Sequence, residues 1–215
     1  MAFTVEMARE ALKKFDALVE EKKEYLTDLD SAIGDADHGI NMNRGMKRVM
    51  DKIRDKEYAD FSGIFRDAGM TVMSAVGGSA GPLYGTFFMK LGQKLSGKSE
   101  VSAGEFADAI GEGLAGITSL GKSAVGDKTM VDAIDPAINA LRENASSGDE
   151  TAWDRAVAAA ENGMKETIPM LARRGRSSYL GERSIGHQDP GATSAFYFLS
   201  CLRDAFRDGR ESGEK

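Results

Sequence analysis

Apolar residues recur every three or four positions along almost the whole chain, and this periodicity restricts the fold more than any other feature. Such stripes run through 5–18, 42–53, 61–72, 83–95, 106–117, 130–141, 153–164 and 195–206. The spacing is that of one face of an α-helix. Alternating β-branched segments bounded by turns, which would predict strands, are absent from the sequence. The pattern therefore predicts an all-α fold of about eight helices.

The connections between these stripes are of two kinds. Three are short polar turns rich in glycine, serine and lysine, at 55–60, 96–102 and 145–151. Four others contain both histidines, clustered aspartates, glycine-rich turns and a cluster of three arginines, and they span 28–41, 76–82, 121–130 and 173–192. In an up-and-down bundle these four are alternate connections, which lie at the same end. The sequence therefore predicts that its polar loops converge on one rim.

Composition limits the class of protein. The chain has 215 residues, of which 41% are hydrophobic and 29% charged, as expected of one soluble domain over 1–215. No apolar run approaches the ~20 residues that span a bilayer, and the charged N-terminus is not expected to be a secretory signal. A net charge of −6 argues against a nucleic-acid surface. The single cysteine, Cys201, is expected in the core of the last helix and fits a reducing cytoplasm.

Residues 28–43, DLDSAIGDADHGINMN, are unusually rich in acidic side chains. Asp30, Asp35 and Asp37 are close enough to repel one another unless a cation holds them. Mg²⁺ accepts a few carboxylates together with water and phosphate oxygens, so this cluster is a candidate magnesium site. Helix capping is the alternative. His38 would contact phosphate or support the metal ligands, and a capping role suits it equally well.

A glycine-rich segment, GGSAGP at 77–82, precedes the helix predicted to start near Leu83. Glycines let backbone amides approach a ligand, and a helix N-terminus offers unpaired N–H groups to an anion. Pro82 would then occupy the first helical position. A tight turn between two helices uses the same residue types, so the segment alone leaves both interpretations open.

The last two polar loops offer further phosphate contacts, each with a plain alternative. Thr129 can cap the next helix or bind a phosphate, and Met130 can face a purine or pack in the core. A basic group around Gly175 can bind oxyanions or simply face solvent; it comprises Arg173, Arg174 and Arg176. The segment 189–191, DPG, predicts a turn and an N-cap before the last helix.

Two glycine motifs of nucleotide-binding proteins occur in the sequence and are rejected. GEGLAG at 111–116 matches G-x-G-x-x-G, but it lies inside a predicted helix with no strand before it. GITSLGKS at 116–123 matches the P-loop pattern, which has its meaning only between a buried strand and a helix. We therefore attribute the first match to close helix packing and the second to chance.

Four stretches carry a resemblance to a known family: EYLTDLDSAIGDADHGINMNRG, VGGSAGPLYGTFF, GDKTM and GRSSYLGERSIGHQDPGATS. Together they resemble the nucleotide-binding subunit of dihydroxyacetone kinase, called L, and the homologous C-terminal domain of ATP-dependent dihydroxyacetone kinases. The resemblance runs from about residue 3 to residue 208. It implies a single-domain antiparallel barrel of eight α-helices, with nucleotide and magnesium at one rim.

The resemblance also implies the roles of individual residues. Two Mg²⁺ ions would be bound by Asp30, Asp35 and Asp37. Contacts with ADP or ATP are implied for His38, Gly39, Asn41, Gly78, Ser79, Ala80, Gly121, Thr129, Met130, Arg176, Asp189, Pro190 and Gly191. This chain has Ser79 before Ala80 where the family pattern has alanine before serine, so which residue supplies a hydroxyl stays open. No catalytic residue is expected in this chain, because the covalent substrate histidine of the family lies on a partner subunit.

The implied function is a cytoplasmic phosphoryl relay from magnesium-bound nucleotide to dihydroxyacetone, or a similar small ketose, on that partner. A separate chain of 215 residues favours the phosphotransferase-system form, in which a phosphohistidine-bearing donor protein rephosphorylates bound ADP. Two alternatives remain. One is a metal-dependent phosphohydrolase that uses the three aspartates, and the other is a nucleotide-sensing subunit that binds a transcription regulator.

Overall fold

The computed structural model describes residues 2–145 and 149–213. The helices in these residues are α1 (Val5–Glu21), α2 (Lys23–Ile33), α3 (His38–Ile53), α4 (Phe61–Ala75), α5 (Ala80–Lys94), α6 (Ala103–Gly121), α7 (Val131–Glu143), α8 (Asp149–Glu166) and α9 (Pro190–Gly213). A 3₁₀ segment, Arg176–Ser184, precedes α9. The all-α class predicted from the sequence is confirmed. The predicted turn at 145–151 lies partly outside the described residues.

Eight of the helices form a closed ring around one core. In the order α1, α3, α4, α5, α6, α7, α8 and α9, each packs against the next, and α9 packs back against α1. The remaining helix, α2, lies against α3 and α9. Among the described residues, no helix is both long and apolar enough to cross a membrane.

The structure corrects the sequence analysis at α2, because the second half of this helix was predicted to belong to the loop 28–41. Only Lys22 separates α2 from α1, and the loop itself shrinks to residues 34–37. The buried residues of α2 are Leu26, Asp30 and Ile33. Because one of these three inward positions is an aspartate, the apolar stripe that predicts a helix is interrupted at that point.

The two strands that the sequence did not predict are each two residues long. Strand β1 (Phe3–Thr4) pairs antiparallel with β2 (Glu100–Val101), with Phe3 opposite Val101. A pair this short is below the length at which alternation can be recognised. It places the N-terminus beside the start of α6, and the Thr4 side chain caps α1 by accepting from the Met7 N–H.

The core is densely aromatic at the centre of the ring. Phe3 and Phe106 have ring centroids 4.6 Å apart, and Phe106 meets Trp153 edge to face at 5.6 Å. Burying one such side chain contributes about 1.5–3 kcal/mol. Cys201 is buried as predicted, and burial raises the pKa of its thiol to about 12. The ring therefore provides a stable frame whose connections carry the polar chemistry.

Candidate functional site

One cavity of about 220 Å³ opens at the end of the ring where the four polar connections meet. Its wall includes Asp30 and Asp35 from the first connection, Ser79 from the second, Thr129 from the third and Arg176 from the fourth. The convergence predicted from alternate loops is therefore observed. Apolar side chains complete the wall, namely Ile33, Leu83, Ile117 and Met130.

The three aspartates come together although they belong to different local structures. Asp30 lies in the last turn of α2, Asp35 in the loop, and Asp37 immediately before α3. Each offers a carboxylate oxygen within 4.8 Å of those of the other two. Three converging hard oxygen donors fit a divalent cation such as Mg²⁺, and without one their charges repel.

Capping does not account for the cluster. Asp37 holds the N-cap position of α3 but makes no capping hydrogen bond with its side chain. Asp30, which belongs to the preceding helix, accepts these hydrogen bonds instead. Its Oδ2 accepts from the N–H groups of Asp37 at 2.9 Å and His38 at 3.1 Å. Gly34 passes close to the other carboxylate oxygen of Asp30. A Cβ added at Gly34 would lie 2.0 Å from Asp30 Oδ1, so a larger residue does not fit there. Gly34 is a position whose importance the sequence analysis missed.

The first turn of α3 carries three of the predicted nucleotide contacts, of which His38 and Asn41 line the cavity. His38 is half-buried, and its Nε2 lies 3.0 Å from the Ser194 hydroxyl of α9. Burial lowers the pKa of His38, against the opposing effect of the Asp30 and Asp37 carboxylates. Asn41 is buried at the cavity wall, and its side-chain oxygen accepts from Arg44 at 2.8 Å.

Gly39 stands apart from the other predicted site residues. It is the one residue of those implied as metal or nucleotide ligands that does not line the cavity. An added Cβ would lie 2.0 Å from the Lys23 carbonyl oxygen, so glycine lets α3 approach α2 closely. The structure thus places Gly39 behind the site, as a packing residue.

The glycine-rich segment meets the cavity at the start of α5. This helix begins at Ala80 rather than near Leu83, so Pro82 is its third residue and not its first. Proline is tolerated throughout the first turn because the N–H groups there have no partner within the helix. Gly78 has φ +64°, a left-handed conformation that favours glycine. Ser79 occupies the N-cap position without a capping bond from its exposed side chain.

The third connection is organised by Asp132, which the sequence analysis did not select. Its carboxylate accepts from the N–H groups of Gly126 and Thr129 and so fixes the turn before α7. Met130 is 5% exposed and lines the cavity, so core packing and contact with a ligand are both open to it. Residues 116–121 are the last turns of α6, so a helix and not a strand leads into this segment, as the rejection of a P-loop requires.

Lys128 is a second missed residue, because nothing in its sequence context distinguishes it from an exposed lysine. It is 1% exposed, and burial lowers its pKa. Its ammonium group donates to the carbonyl oxygens of Thr167 at 2.7 Å, Met170 at 3.2 Å and His187. Lys128 therefore ties the third connection to the segment that follows α8 and to the fourth connection.

Two of the three predicted arginines reach the cavity. Arg176 Nε lies 3.1 Å from Asp35 Oδ2, and Arg174 Nε lies 3.4 Å from Asp127 Oδ2. Both line the cavity, whereas Arg173 does not. The exposed side chain of Arg176 supplies positive charge beside the aspartates, as a site for phosphate and metal requires.

Asp189 closes the site at the start of α9. Its carboxylate accepts from the Ala192 N–H at 2.7 Å, which is the predicted N-cap, and its own N–H donates to Thr167 Oγ1 at 3.0 Å. Burial raises the pKa of Asp189 to about 7, while Lys128 opposes that shift. Pro190 and Gly191 follow it along the cavity wall.

Comparisons with known proteins agree with this architecture. Residues 32–204 match the DAK2 domain. The ADP-binding subunit DhaL of PEP-dependent dihydroxyacetone kinase from Escherichia coli K12 is 43% identical over 189 residues, covering 87% of this chain and 90% of that one. The corresponding subunit of kinase 1 from Listeria innocua is 43% identical over 204 residues, covering 94% of this chain and 98% of the relative.

Solved structures give the same fold. The dihydroxyacetone kinase of C. freundii superposes with a TM-score of 0.71 at 24% identity in its native form. Its complex with AMP-PNP and Mg²⁺ superposes with a TM-score of 0.72. These matches cover 91% and 92% of this chain, which spans about a third of the longer enzyme, 33% and 34% in the two structures. Because the DAK2 domain matches residues 32–204, which are most of the chain, the chain belongs to the DAK2 domain family.

Proposed function

We propose that this chain is the ADP-binding subunit of a PEP-dependent dihydroxyacetone kinase. It relays a phosphoryl group through magnesium-bound ADP/ATP to dihydroxyacetone, or a similar small ketose, held on a partner subunit. The observation that carries the proposal is one cavity lined by three converging carboxylates, a glycine-rich helix start and two arginines. Relatives of known function at 43% identity, matched over nearly their whole length, support it.

Each group in the cavity has a definite task in this proposal. Asp30, Asp35 and Asp37 hold two Mg²⁺ ions, which when bound neutralise phosphate charge and orient the transferred group. The N-terminus of α5 faces phosphate oxygens with unpaired N–H groups around Ser79 and Ala80. Arg176 adds a charged donor, and the apolar wall at Met130 accepts the base.

The chain itself supplies electrostatics and positioning, not a covalent carrier. Phosphoryl transfer proceeds largely by in-line alignment and charge stabilisation, so a subunit without a nucleophile is sufficient when the substrate is held elsewhere. In this proposal the whole chain acts as one nucleotide-binding domain in the cytoplasm. A ketose-binding kinase subunit holds the substrate, and a phosphohistidine-bearing protein is the phosphoryl donor.

Docking of these partners is supported by the surface around the cavity mouth. Several large apolar side chains are exposed on the segments that form the rim: Ile40, Leu120, Val125, Ile168, Leu171, Tyr179 and Ile185. Apolar side chains exposed together beside a cavity are typical of interaction surfaces, whereas single ones are ordinary. A transcription regulator that binds the same rim would be an additional partner.

Reconstitution tests the activity. The chain with ADP and Mg²⁺, a ketose-binding subunit and a donor protein already phosphorylated on histidine should together convert dihydroxyacetone to its phosphate while the donor loses its phosphoryl group, and omission of any one should stop the reaction. The chain alone should not hydrolyse p-nitrophenyl phosphate. Hydrolysis by the isolated chain would instead support a phosphohydrolase, and retained nucleotide without transfer would support a nucleotide sensor.

Aspartate variants test the metal site. Asp35→Ala and Asp37→Ala should each abolish Mg²⁺-dependent retention of ADP, with helical circular dichroism unchanged, because both side chains lie outside the core. Asp30 is unsuitable for this test, since it also braces the loop. Asp28→Ala, an exposed aspartate of α2 away from the cavity, is the matched control. Retention of ADP at the wild-type level by either test variant would contradict the metal assignment.

A further inference from the structure

The outer side of α3 and α4 is basic in a chain that is acidic as a whole. Residues 38–94 contain nine basic and five acidic side chains, although the net charge of the whole chain is −6. Arg44, Arg48 and Lys52 are spaced four residues apart on α3, so they form one exposed row about 12 Å long. Positive charge is therefore concentrated on one side of the molecule.

Helix α4 continues this surface beside the basic row. Arg66, Met70 and Met73 lie three or four residues apart on one side of α4, and the two methionines are 58% and 40% exposed. The Arg44 guanidinium donates to the Ala75 carbonyl oxygen at 3.1 Å, which links the two helices. We call the exposed surface that these side chains form the α3–α4 face: Arg44, Arg48, Lys52, Arg66, Met70 and Met73.

Most of the positive charge on the α3–α4 face is not neutralised by neighbouring carboxylates. Within the described residues, three of its basic side chains form no ion pair, namely Arg48, Lys52 and Arg66. The adjacent carboxylates pair with other cations, since Asp51 lies 3.7 Å from Arg54 and Asp67 lies 2.7 Å from Lys56. The face therefore presents cations that are available to an acidic partner.

One end of the α3–α4 face reaches the cavity. Arg44 also donates to Asn41 Oδ1 at 2.8 Å, and Asn41 lines the cavity. Helix α4 ends at Ala75, and the glycine-rich segment that follows lines the cavity from Gly77 to Ala80. A protein seated on this face can therefore extend a side chain to the cavity mouth.

The chemistry of the α3–α4 face differs from that of the exposed apolar side chains of the rim. Permanent interfaces are the more hydrophobic ones, whereas charged surfaces speed association and keep it sensitive to salt. A relay needs both kinds of contact, because the substrate-holding subunit stays through the transfer while the phosphoryl donor leaves after each turnover. An acidic donor would be repelled by the rest of a chain of net charge −6 and so directed to this face.

Nucleic acid and anionic membranes fit the α3–α4 face less well than a protein does. The basic row is only about 12 Å long, so a duplex or a bilayer would extend over the surrounding surface of an acidic chain. Exposed methionines are adaptable apolar contacts and are enriched in protein interfaces.

We propose that the α3–α4 face is the docking surface for the phosphoryl donor, a phosphohistidine-bearing protein that presents acidic side chains around its histidine. The identity of this partner as the donor rests on the proposed function. In the transfer that docking permits, the N–P bond of the phosphohistidine breaks as a β-phosphate oxygen of ADP bonds to phosphorus. The released imidazole then takes up a proton.

Charge reversal on the α3–α4 face tests the proposal. Arg48→Glu combined with Arg66→Glu should lower the second-order rate of transfer from the phosphorylated donor to bound ADP at least about tenfold at low salt, because like charges then oppose the encounter. The loss should shrink at about 1 M salt, where charges are screened within about 3 Å. Arg44 is left intact, since it contacts Asn41 of the cavity.

The second half of the relay shows whether the effect belongs to the donor. Transfer from bound ATP to dihydroxyacetone on the ketose-binding subunit should be unchanged in the double variant. An unchanged rate from the donor would overturn the proposal, and so would an equal loss in both transfers.

Lys13→Glu combined with Lys165→Glu is the matched control. Both lysines are exposed, on α1 and α8, and the change in net charge is the same. This variant should accept phosphoryl groups from the donor at the wild-type rate. An equal loss there would show an effect of net charge alone and overturn the proposal.

Calorimetric titration of the unphosphorylated donor into the full chain separates this proposal from the proposed function. The wild type should bind the donor without nucleotide, and the double variant on the α3–α4 face should bind it at least about tenfold more weakly. Binding without any transfer to ADP would contradict the proposed function alone. No binding by the wild type, or binding of duplex DNA or anionic vesicles that the double variant loses, would overturn the docking surface.

Discussion

At the scale of single residues, Lys128 is a buried cation whose ammonium group donates to backbone carbonyls and not to a carboxylate. Lys128→Met keeps the volume of the side chain but leaves the carbonyls of Thr167, Met170 and His187 without this donor. Each unsatisfied buried group costs about 1–3 kcal/mol, so we expect a loss of about 3 kcal/mol or more in the free energy of unfolding. Chemical denaturation measures it.

Lys122→Met is the control for this experiment. Lys122 is exposed, and its φ of +52° resembles the +63° of Lys128, so backbone strain is matched. The control should lose less than about 0.5 kcal/mol and should bind ADP as the wild type does, because Lys122 follows a helix and is not in a P-loop. Equal losses in the two variants would contradict the role assigned to Lys128.

The sequence reveals single residues unevenly. Asp30, Asp35 and Asp37 are recognisable because acidic side chains are unusual beside a glycine turn. Ser194 is not, since it lies at the start of a largely apolar helix and meets His38 only when α3 and α9 are brought together. The same applies to Lys128, whose burial depends on a loop about forty residues further along the chain.

At the scale of elements, the start of α6 carries a complete capping box. The Glu105 N–H donates to the Ser102 hydroxyl, and the Glu105 carboxylate accepts from the Ser102 N–H at 2.9 Å. Lys98 also contacts that carboxylate, and these hydrogen bonds lower the pKa of Glu105 to about 2. Ser102→Ala should reduce the free energy of unfolding by about 1 kcal/mol at neutral pH.

The pH dependence of that difference follows from the sign of the shift. A carboxyl group whose pKa is lower in the folded state stabilises the protein above its unfolded pKa of about 4.3, and that contribution is lost as the pH falls towards 2. Wild type and Ser102→Ala should therefore converge in stability as the pH is lowered from about 5 to 3. Denaturation curves at several pH values measure this, and a constant or growing difference would exclude the Glu105 carboxylate as a contributor to it.

The elements themselves were predictable where burial and hydrophobicity coincide. The eight helices of the ring follow from their apolar stripes. Helix α2 does not, because one of its three buried positions is the candidate metal ligand Asp30. The start of α5 was also misplaced, since Pro82 is tolerated at the third helical position as well as the first. In both cases the error lies at the site, where ligand chemistry replaces apolar residues.

At the scale of the whole molecule, convergence of the polar connections was predictable from topology alone. Alternate connections of a ring of helices lie at one end, and those connections line the cavity described above. The distances between them were not predictable, since they depend on how closely helices approach at positions such as Gly34 and Gly39. The sequence thus indicates which loops meet, whereas packing determines their geometry.

The central claim is that this end of the molecule binds nucleotide and metal together, and calorimetric melting tests it most directly. A ligand at a thousandfold excess over its Kd stabilises the folded state by about 4 kcal/mol, which for a domain of this size raises Tm by about 8–16 °C. Protein stripped of metal and nucleotide should show that rise with ADP plus Mg²⁺, and much less with either alone. Equal melting temperatures in all four conditions would contradict the account.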